Sequence, residues 1–250
     1  MLNSVPAAPE ERKESRKVVI YLMRHGAPSY EADGPRPLDP QEPIQFEGEL
    51  TKEGMLQIEL ASRKLVKEFG DMPKSVILAS SPRRRTEESL DILRRVLEEC
   101  GVSISSYSSE LVEAQKLMID ATLTGALLEE YGKQAERNKN LTWMEFWIRE
   151  SANFQNVESA ADFEKRMKNL ILYFQDFSQR VDLFETIVCL IHEEEVKIIA
   201  SLFGISVMEV PNGTGLKLIF NLEEAAIEIE VQGEVERLNF EQFNKKEERQ

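Results

Sequence analysis

The chain divides into short unbroken apolar runs and longer stretches of helical period. Val18 to Met23 has no polar break, and a run of that length reads as a strand buried on both faces of a parallel sheet covered by helices. Ser75–Ala79 and Thr186–Ile191 read the same way, and Val102–Tyr107, 216–220, 226–231 and 235–239 complete the predicted strands. Between them the period becomes helical. Thr51 is the expected N-cap of a helix to about Phe69, with Leu56, Leu60, Leu65 and Phe69 on one face and Gly70 and Pro73 ending it. Ser80-Ser81-Pro82 is expected to open the next helix, with a serine cap and proline in the first turn, running to about Cys100 and burying Leu90, Leu93 and Leu97.

From about Asp120 to Arg180 the pattern predicts helices only: one around Leu123, Leu127 and Leu128, one around Trp143, Phe146 and Trp147, and one from Ala160 to Phe177. Phe163, Met167, Leu170 and Phe174 of the third are expected in the core. A last long helix covers Glu194–Phe203, closed by Gly204. Strands separated by helices predict an α/β fold: a three-layer α/β/α sandwich with a mostly parallel central sheet. Residues 18–243 form one predicted domain, with about 108–180 as a helical cap over the strand ends. Residues 1–17, rich in proline and charge, read as a disordered tail, and 244–250 as a charged tail. From Ala27 to Glu49 there are five prolines (Pro28, Pro35, Pro37, Pro40, Pro43) and no periodicity. A loop that long in a compact domain is expected to serve a site.

Composition narrows the partners. The 250 residues are 42% hydrophobic, enough for a sizeable core, and carry a net charge of −14. That charge argues against a nucleic-acid or anionic-membrane binder, so any positive pocket must be local. Cys100 and Cys189 are too few for a disulfide framework, and Cys189 inside a predicted strand is expected to act as a small hydrophobe. With no apolar leader and no run near the ~20 residues that span a bilayer, a soluble cytoplasmic protein is expected.

The chemistry enters at the strand ends. The chain has 2 histidines, and each stands directly beyond a predicted strand, where parallel sheets place their ligands. The first arrives as Arg24-His25-Gly26, the second as His192. Gly26 lets backbone approach a ligand closely.

Arg24-His25-Gly26 after a buried strand resembles the signature of the histidine phosphatase superfamily, the phosphoglycerate mutase-like family. Ser81-Pro82-Arg83-Arg84-Arg85-Thr86-Glu87-Glu88-Ser89 is similar to the family's Ser-Pro-x-x-Arg-x-x-x-Thr, with Ser89 in the threonine place. Leu111-Val112-Glu113 resembles its Leu-x-Glu, with Glu110 as a possible substitute. Leu50-Thr51-Lys52-Glu53-Gly54, the run Glu158 to Arg166, and Arg237-Leu238-Asn239 resemble further family patterns, so the resemblance spans roughly 18–240.

The resemblance implies a metal-independent phosphomonoester phosphatase with no cofactor and a small phosphorylated substrate. His25 would attack phosphorus and form a phosphohistidine. Arg24 and Arg85 would bind the phosphoryl oxygens through guanidinium forks suited to phosphate. His192 would bind one of those oxygens as charge develops, and the backbone N–H of Glu193 would add an anion contact. Glu113 would protonate the leaving group and then activate water, a role typically worth ~10²–10⁴ in rate. Arg83 and Arg84 are expected to be a solvated basic patch.

Two places depart from the family pattern. Pro28 and Glu31 fall where the family holds a small hydroxyl residue and an asparagine, and Glu193-Glu194-Glu195 follow the second histidine where it keeps a small residue. Three acids in a helix's first turn complement its dipole by ~0.3–1 kcal/mol each, and they are expected to point into solvent. Facing a phosphate dianion instead, each would repel it by about 4 kcal/mol at ~4 Å and an effective dielectric of ~20. Two rival readings remain. One is a phosphoglycerate mutase-type transfer, although the long mutase motif after Arg-His-Gly is absent. The other is a weak or inactive member that binds a phosphorylated ligand or partner.

Overall fold

The structure is a computed structural model that describes residues 17–29, 49–70, 75–108, 158–180 and 186–245. Its elements are β1 (Lys17–Arg24), α1 (Lys52–Phe69), β2 (Ser75–Ser80), α2 (Arg84–Glu99), β3 (Ser103–Ser108), α3 (Ala160–Arg180), β4 (Thr186–Ile191), α4 (Glu193–Leu202), β5 (Gly215–Asn221), β6 (Ala226–Val231), β7 (Glu234–Asn239) and α5 (Phe240–Lys245). All seven predicted strands are present, within a residue or so at each end. Residues 1–16 and 246–250 of the predicted tails, most of the 27–49 loop and the 109–157 part of the predicted cap lie outside the described residues.

The strands form one seven-stranded sheet in the order β3-β2-β4-β1-β5-β6-β7. It is mixed. The pairs β2/β3, β2/β4 and β1/β4 are parallel, and β1/β5, β5/β6 and β6/β7 are antiparallel. The expectation of a mostly parallel sheet describes the β3–β1 half, where crossover helices return the chain to the same edge. The other half is a meander, because the short turns after Asn221 and Val231 can only join antiparallel neighbours.

Period 2 along each strand sorts the core into two layers. Val18, Ile20 and Leu22 of β1 and Ile187, Cys189 and Ile191 of β4 pack with Phe163, Met167, Leu170 and Phe174 of α3, Val196 and Ile199 of α4, and Phe243 of α5. On the opposite face, Met23, Val188 and Leu190 pack with Ile58 and Leu65 of α1 and with Leu90, Leu93 and Leu97 of α2. The result is the expected three-layer α/β/α sandwich. Every residue of β4 is buried, as its continuous apolar run requires.

Some local expectations are corrected. The α1 residues Leu56 and Leu60 are 55% and 60% exposed; of the expected face Leu65 is buried, and Gly54, Ile58 and Ser62 join it. The α2 helix starts at Arg84, not Ser81, with extended Arg83 at its N-cap and no side-chain cap there. The helix α5 replaces the start of the predicted charged tail. Asn239 Oδ1 accepts the Gln242 N–H at 2.6 Å while Gln242 Oε1 accepts the Asn239 N–H at 3.1 Å, a reciprocal cap. Six residues are too few to show a helical period.

Candidate active site

Topology brings the two histidines together. The central strands β1 and β4 are parallel neighbours with Arg24 opposite Ile191, so the next residue of each strand, His25 and His192, must emerge side by side. The His25 N–H continues the ladder to the Ile191 carbonyl at 3.1 Å. The ring centroids are 5.0 Å apart, and the rings are 3% and 1% exposed. The other neighbour of β4 is β2, whose chain leaves the sheet at Ser81 with its N–H on the Leu190 carbonyl. His192 is thus flanked by β1 on one side and by the β2–α2 turn on the other.

Arg85, in the first turn of α2, is fully buried between the rings. Its Nε donates to His25 Nε2 at 3.0 Å and its Nη2 donates to His192 Nδ1 at 3.1 Å. A guanidinium only donates, so both of those ring nitrogens carry lone pairs. The proton of His25 is therefore on Nδ1, which donates to the Gly26 carbonyl at 2.6 Å. The proton of His192 is on Nε2, which donates to Ser81 Oγ at 2.8 Å; that hydroxyl donates to Thr86 Oγ1 at 2.9 Å. Thr86 ends the relay on the carbonyls of Ser81 and Arg83. Each ring is thus held by Arg85 on one nitrogen and by a partner on the other.

The Arg24-His25-Gly26 turn is clamped by two helices. Ser89 Oγ, one turn beyond Arg85, accepts the Gly26 N–H at 3.2 Å and donates to the Arg85 carbonyl at 2.7 Å. The start of α1 packs against the same turn. Thr51 caps α1 by accepting the Gly54 N–H at 2.9 Å and also donates to the Ala27 carbonyl at 3.1 Å, and Gln57 Oε1 accepts the Ala27 N–H at 3.0 Å. A Cβ on Gly26 would lie 2.3 Å from the Gly54 oxygen, and one on Gly54 would lie 2.3 Å from the Ala27 oxygen. Both glycines are dictated by this backbone contact, which accounts for the Leu-Thr-x-x-Gly stretch.

Arg24 lies at the mouth of the same strand end, where its Nη1 donates to the Val210 carbonyl at 2.7 Å and lies 2.8 Å from Glu193 Oε2. The acids after His192 do not all face solvent. Glu195 is fully buried on the α4 side of the sheet, and Glu193 pairs with Arg24. The buried Cys189 thiol is pushed up by desolvation and by the charge of Glu195, which suits the small hydrophobe expected of it. Arg84 is exposed and pairs with Glu49 and Glu88, as a solvated patch would.

Arg24, His25, Arg85, His192 and Glu193 are thus gathered at one end of the central strands. Glu113, its substitute Glu110, and Glu31 lie outside the described residues. Sequence reading missed the tasks of Ser81, Thr86, Ser89 and Gln57. Ser81 and Thr86 stood in a quoted motif, but only the fold shows what their hydroxyls touch. Further away, Glu158 and Arg166 form a bidentate pair at 2.9 and 2.7 Å, and Ser159 caps α3 through the Asp162 N–H at 3.1 Å. That explains the Glu158-to-Arg166 motif as a helix-start device. A groove of about 860 Å³ runs along α1 past Leu60, Lys64, Lys217 and Glu230, and neither histidine lines it. Among the described residues no group of three or more His, Cys, Asp or Glu is placed to hold a metal ion, and no helix is long and apolar enough to cross a membrane.

A three-layer α/β sandwich thus gathers two histidines and a buried arginine at its central strand ends, donors of the kind that suit an anionic ligand. The family model described as "Histidine phosphatase superfamily (branch 1)" matches residues 20–215, and the chain belongs to that superfamily. Among solved structures it is similar to the phosphoglycerate mutase of Bacillus anthracis str. Sterne, with 14% identity, a TM-score of 0.62 and coverage of 94% of this chain and 98% of that one. It is also similar to an Escherichia coli K-12 protein provisionally assigned as an alpha-ribazole-5'-P phosphatase, with 16% identity, a TM-score of 0.55 and coverage of 87% and 96%. A search of curated protein sequences finds no significant match.

Proposed function

We propose that the protein is a metal-independent phosphomonoester phosphatase working through a phosphohistidine on His25. The observation that carries this reading is the His25 tautomer. Its Nδ1–H is tied to the Gly26 carbonyl at 2.6 Å, so the Nε2 lone pair faces the buried Arg85. In the first step Nε2 attacks phosphorus, the P–O ester bond breaks, and Glu113 gives its proton to the leaving alkoxide. The imidazole becomes a cation as the N–P bond forms, and the Gly26 carbonyl on Nδ1–H stabilises it. Arg85 moves its N–H groups from ring nitrogens to phosphoryl oxygens, where negative charge spreads over the equatorial positions. In the second step water attacks phosphorus, Glu113 takes its proton, and the N–P bond breaks to release inorganic phosphate and neutral His25.

With Nε2 engaged by Ser81, His192 meets a phosphoryl oxygen through Nδ1, which takes up the proton of the phosphate monoester monoanion as Arg85 turns from the ring to the ligand. Two arginines and no metal supply the positive charge in this scheme. The mutase of Bacillus anthracis keeps the same fold, and at 14% identity its reaction does not transfer by likeness. Transfer to a second substrate hydroxyl would use the same phosphohistidine, so assays with and without an acceptor alcohol separate the two.

The test is hydrolysis of an aryl phosphate. His25→Ala is expected to abolish turnover and any acid-labile phosphoenzyme. Glu113→Gln is expected to slow turnover by about 10²–10⁴ while leaving phosphate binding intact, and EDTA is expected to change nothing. Activity that chelation stops and zinc restores would overturn the mechanism.

A further inference from the structure

Glu193 follows His192 directly and opens α4. Its carboxylate is held from both sides, with Oε2 2.8 Å from Arg24 Nη1 and Oε1 2.6 Å from Lys197 Nζ. The pair with Lys197 is an ordinary i,i+4 helix contact, and the pair with Arg24 is not. That contact crosses from α4 to the end of β1, and the side chains of Arg24 and Glu193 are only 13% and 24% exposed. Arg24 Nη1 also donates to the Val210 carbonyl at 2.7 Å, so two protein oxygens already crowd that one nitrogen. A carboxylate with both oxygens on cations, beside the second histidine, is a built feature rather than a helix-dipole acid.

We infer that Glu193 sets the charge of the phosphate site: it shares Arg24 with the ligand and thereby weakens the hold on phosphate. The inference rests on the reading of Arg24 and Arg85 as phosphate ligands. A phosphate dianion on Arg24 meets a carboxylate already on the same guanidinium, and partial burial limits how far solvent screens the repulsion. Lys197 offsets part of that charge from the carboxylate's far oxygen. For a hydrolase the consequence falls on product as well as substrate. Inorganic phosphate makes the same contacts as the phosphoryl group, so extra affinity for both lowers KM without speeding chemistry. It also slows release. Glu193 exchanges affinity for turnover.

The experiment is calorimetric titration of inorganic phosphate into the wild-type protein, Glu193→Gln, Glu193→Ala and Lys197→Met, with each variant's melting temperature recorded. Glu193→Gln keeps the shape and an acceptor for Arg24 but removes the charge. It should bind phosphate about tenfold more tightly, with KM for an aryl phosphate falling in parallel. Glu193→Ala should shift binding in the same direction, and Lys197→Met should weaken it about threefold by leaving the carboxylate wholly to Arg24. Unchanged or weaker binding in Glu193→Gln would overturn the inference, because Glu193 would then be only a brace for Arg24. Wild-type binding that Arg85→Lys weakens but Glu193→Gln leaves unchanged would overturn this inference alone. No phosphate binding by the wild-type protein would overturn the phosphate-site reading with it.

Discussion

At the scale of the residue, one guanidinium holds two histidines. Because Arg85 faces a ring nitrogen of each, the remaining protons are driven outward, to a backbone carbonyl for His25 and to a hydroxyl for His192. The hydroxyl end is the vulnerable one. Ser81→Ala would leave the His192 Nε2–H buried without its acceptor, which costs about 1–3 kcal/mol. The ring would then be free to turn, and aryl phosphate turnover should fall by roughly 10–100-fold. Thermal melting and kcat measured on that one variant check both parts. Wild-type kcat would show that Ser81 does not orient the ring.

At the scale of the element, the site depends on how closely α1 and α2 approach the turn after β1. Ser89 and Arg85 reach it from α2, while Thr51, Gly54 and Gln57 reach it from α1. Gly54→Ala separates local preference from packing. Helix propensity alone would make alanine better by about 1 kcal/mol. The added Cβ would lie 2.3 Å from the Ala27 oxygen, and overpacking of that kind costs about 1–3 kcal/mol. Net destabilisation in chemical denaturation, with a loss of activity, is the expected result. The extent of α1 was legible from Thr51 and Gly70, but its buried face was not. Leu56 and Leu60 stay exposed on another side of the helix, while Ile58 and Leu65 meet the sheet and α2.

At the scale of the whole molecule, a chain with a net charge of −14 sets Arg24 and Arg85 together at one end of its central strands and carries many other cations in surface ion pairs. The alkaline limit of its stability has an identifiable contributor. Burial, then the charges of Glu68 and Glu230, pushes the Tyr21 hydroxyl from 10.0 up to about 12. Below pH 10 the phenol is neutral in the folded and the unfolded chain alike, and its full share of stability is present. As pH rises from 10 toward 12 the unfolded chain ionises first, so that share is lost through this window. Melting temperatures measured across it should fall less steeply for Tyr21→Phe than for the wild type. Parallel curves would assign the alkaline loss to other groups.

The sequence by itself determined the seven strands, the long described helices and the two histidines at strand ends: burial on both faces marks a strand such as β4 without reference to a partner, and the exposed β3 and β7 are legible as short runs between turns. It also placed Arg85 and the glycines in recognisable spacings. Only the tertiary structure decided which neighbours those residues meet. The β1/β4 pairing, formed between strands more than 150 residues apart in the chain, is what puts His25 beside His192. The three acids after His192 show the division most clearly. Locally they are alike, since each suits the first turn of a helix. In the fold Glu195 is buried and Glu193 is fixed between Arg24 and Lys197. A helix dipole acts on the chain's own first turn, whereas the partner of a carboxylate is chosen by whatever the sheet brings alongside it.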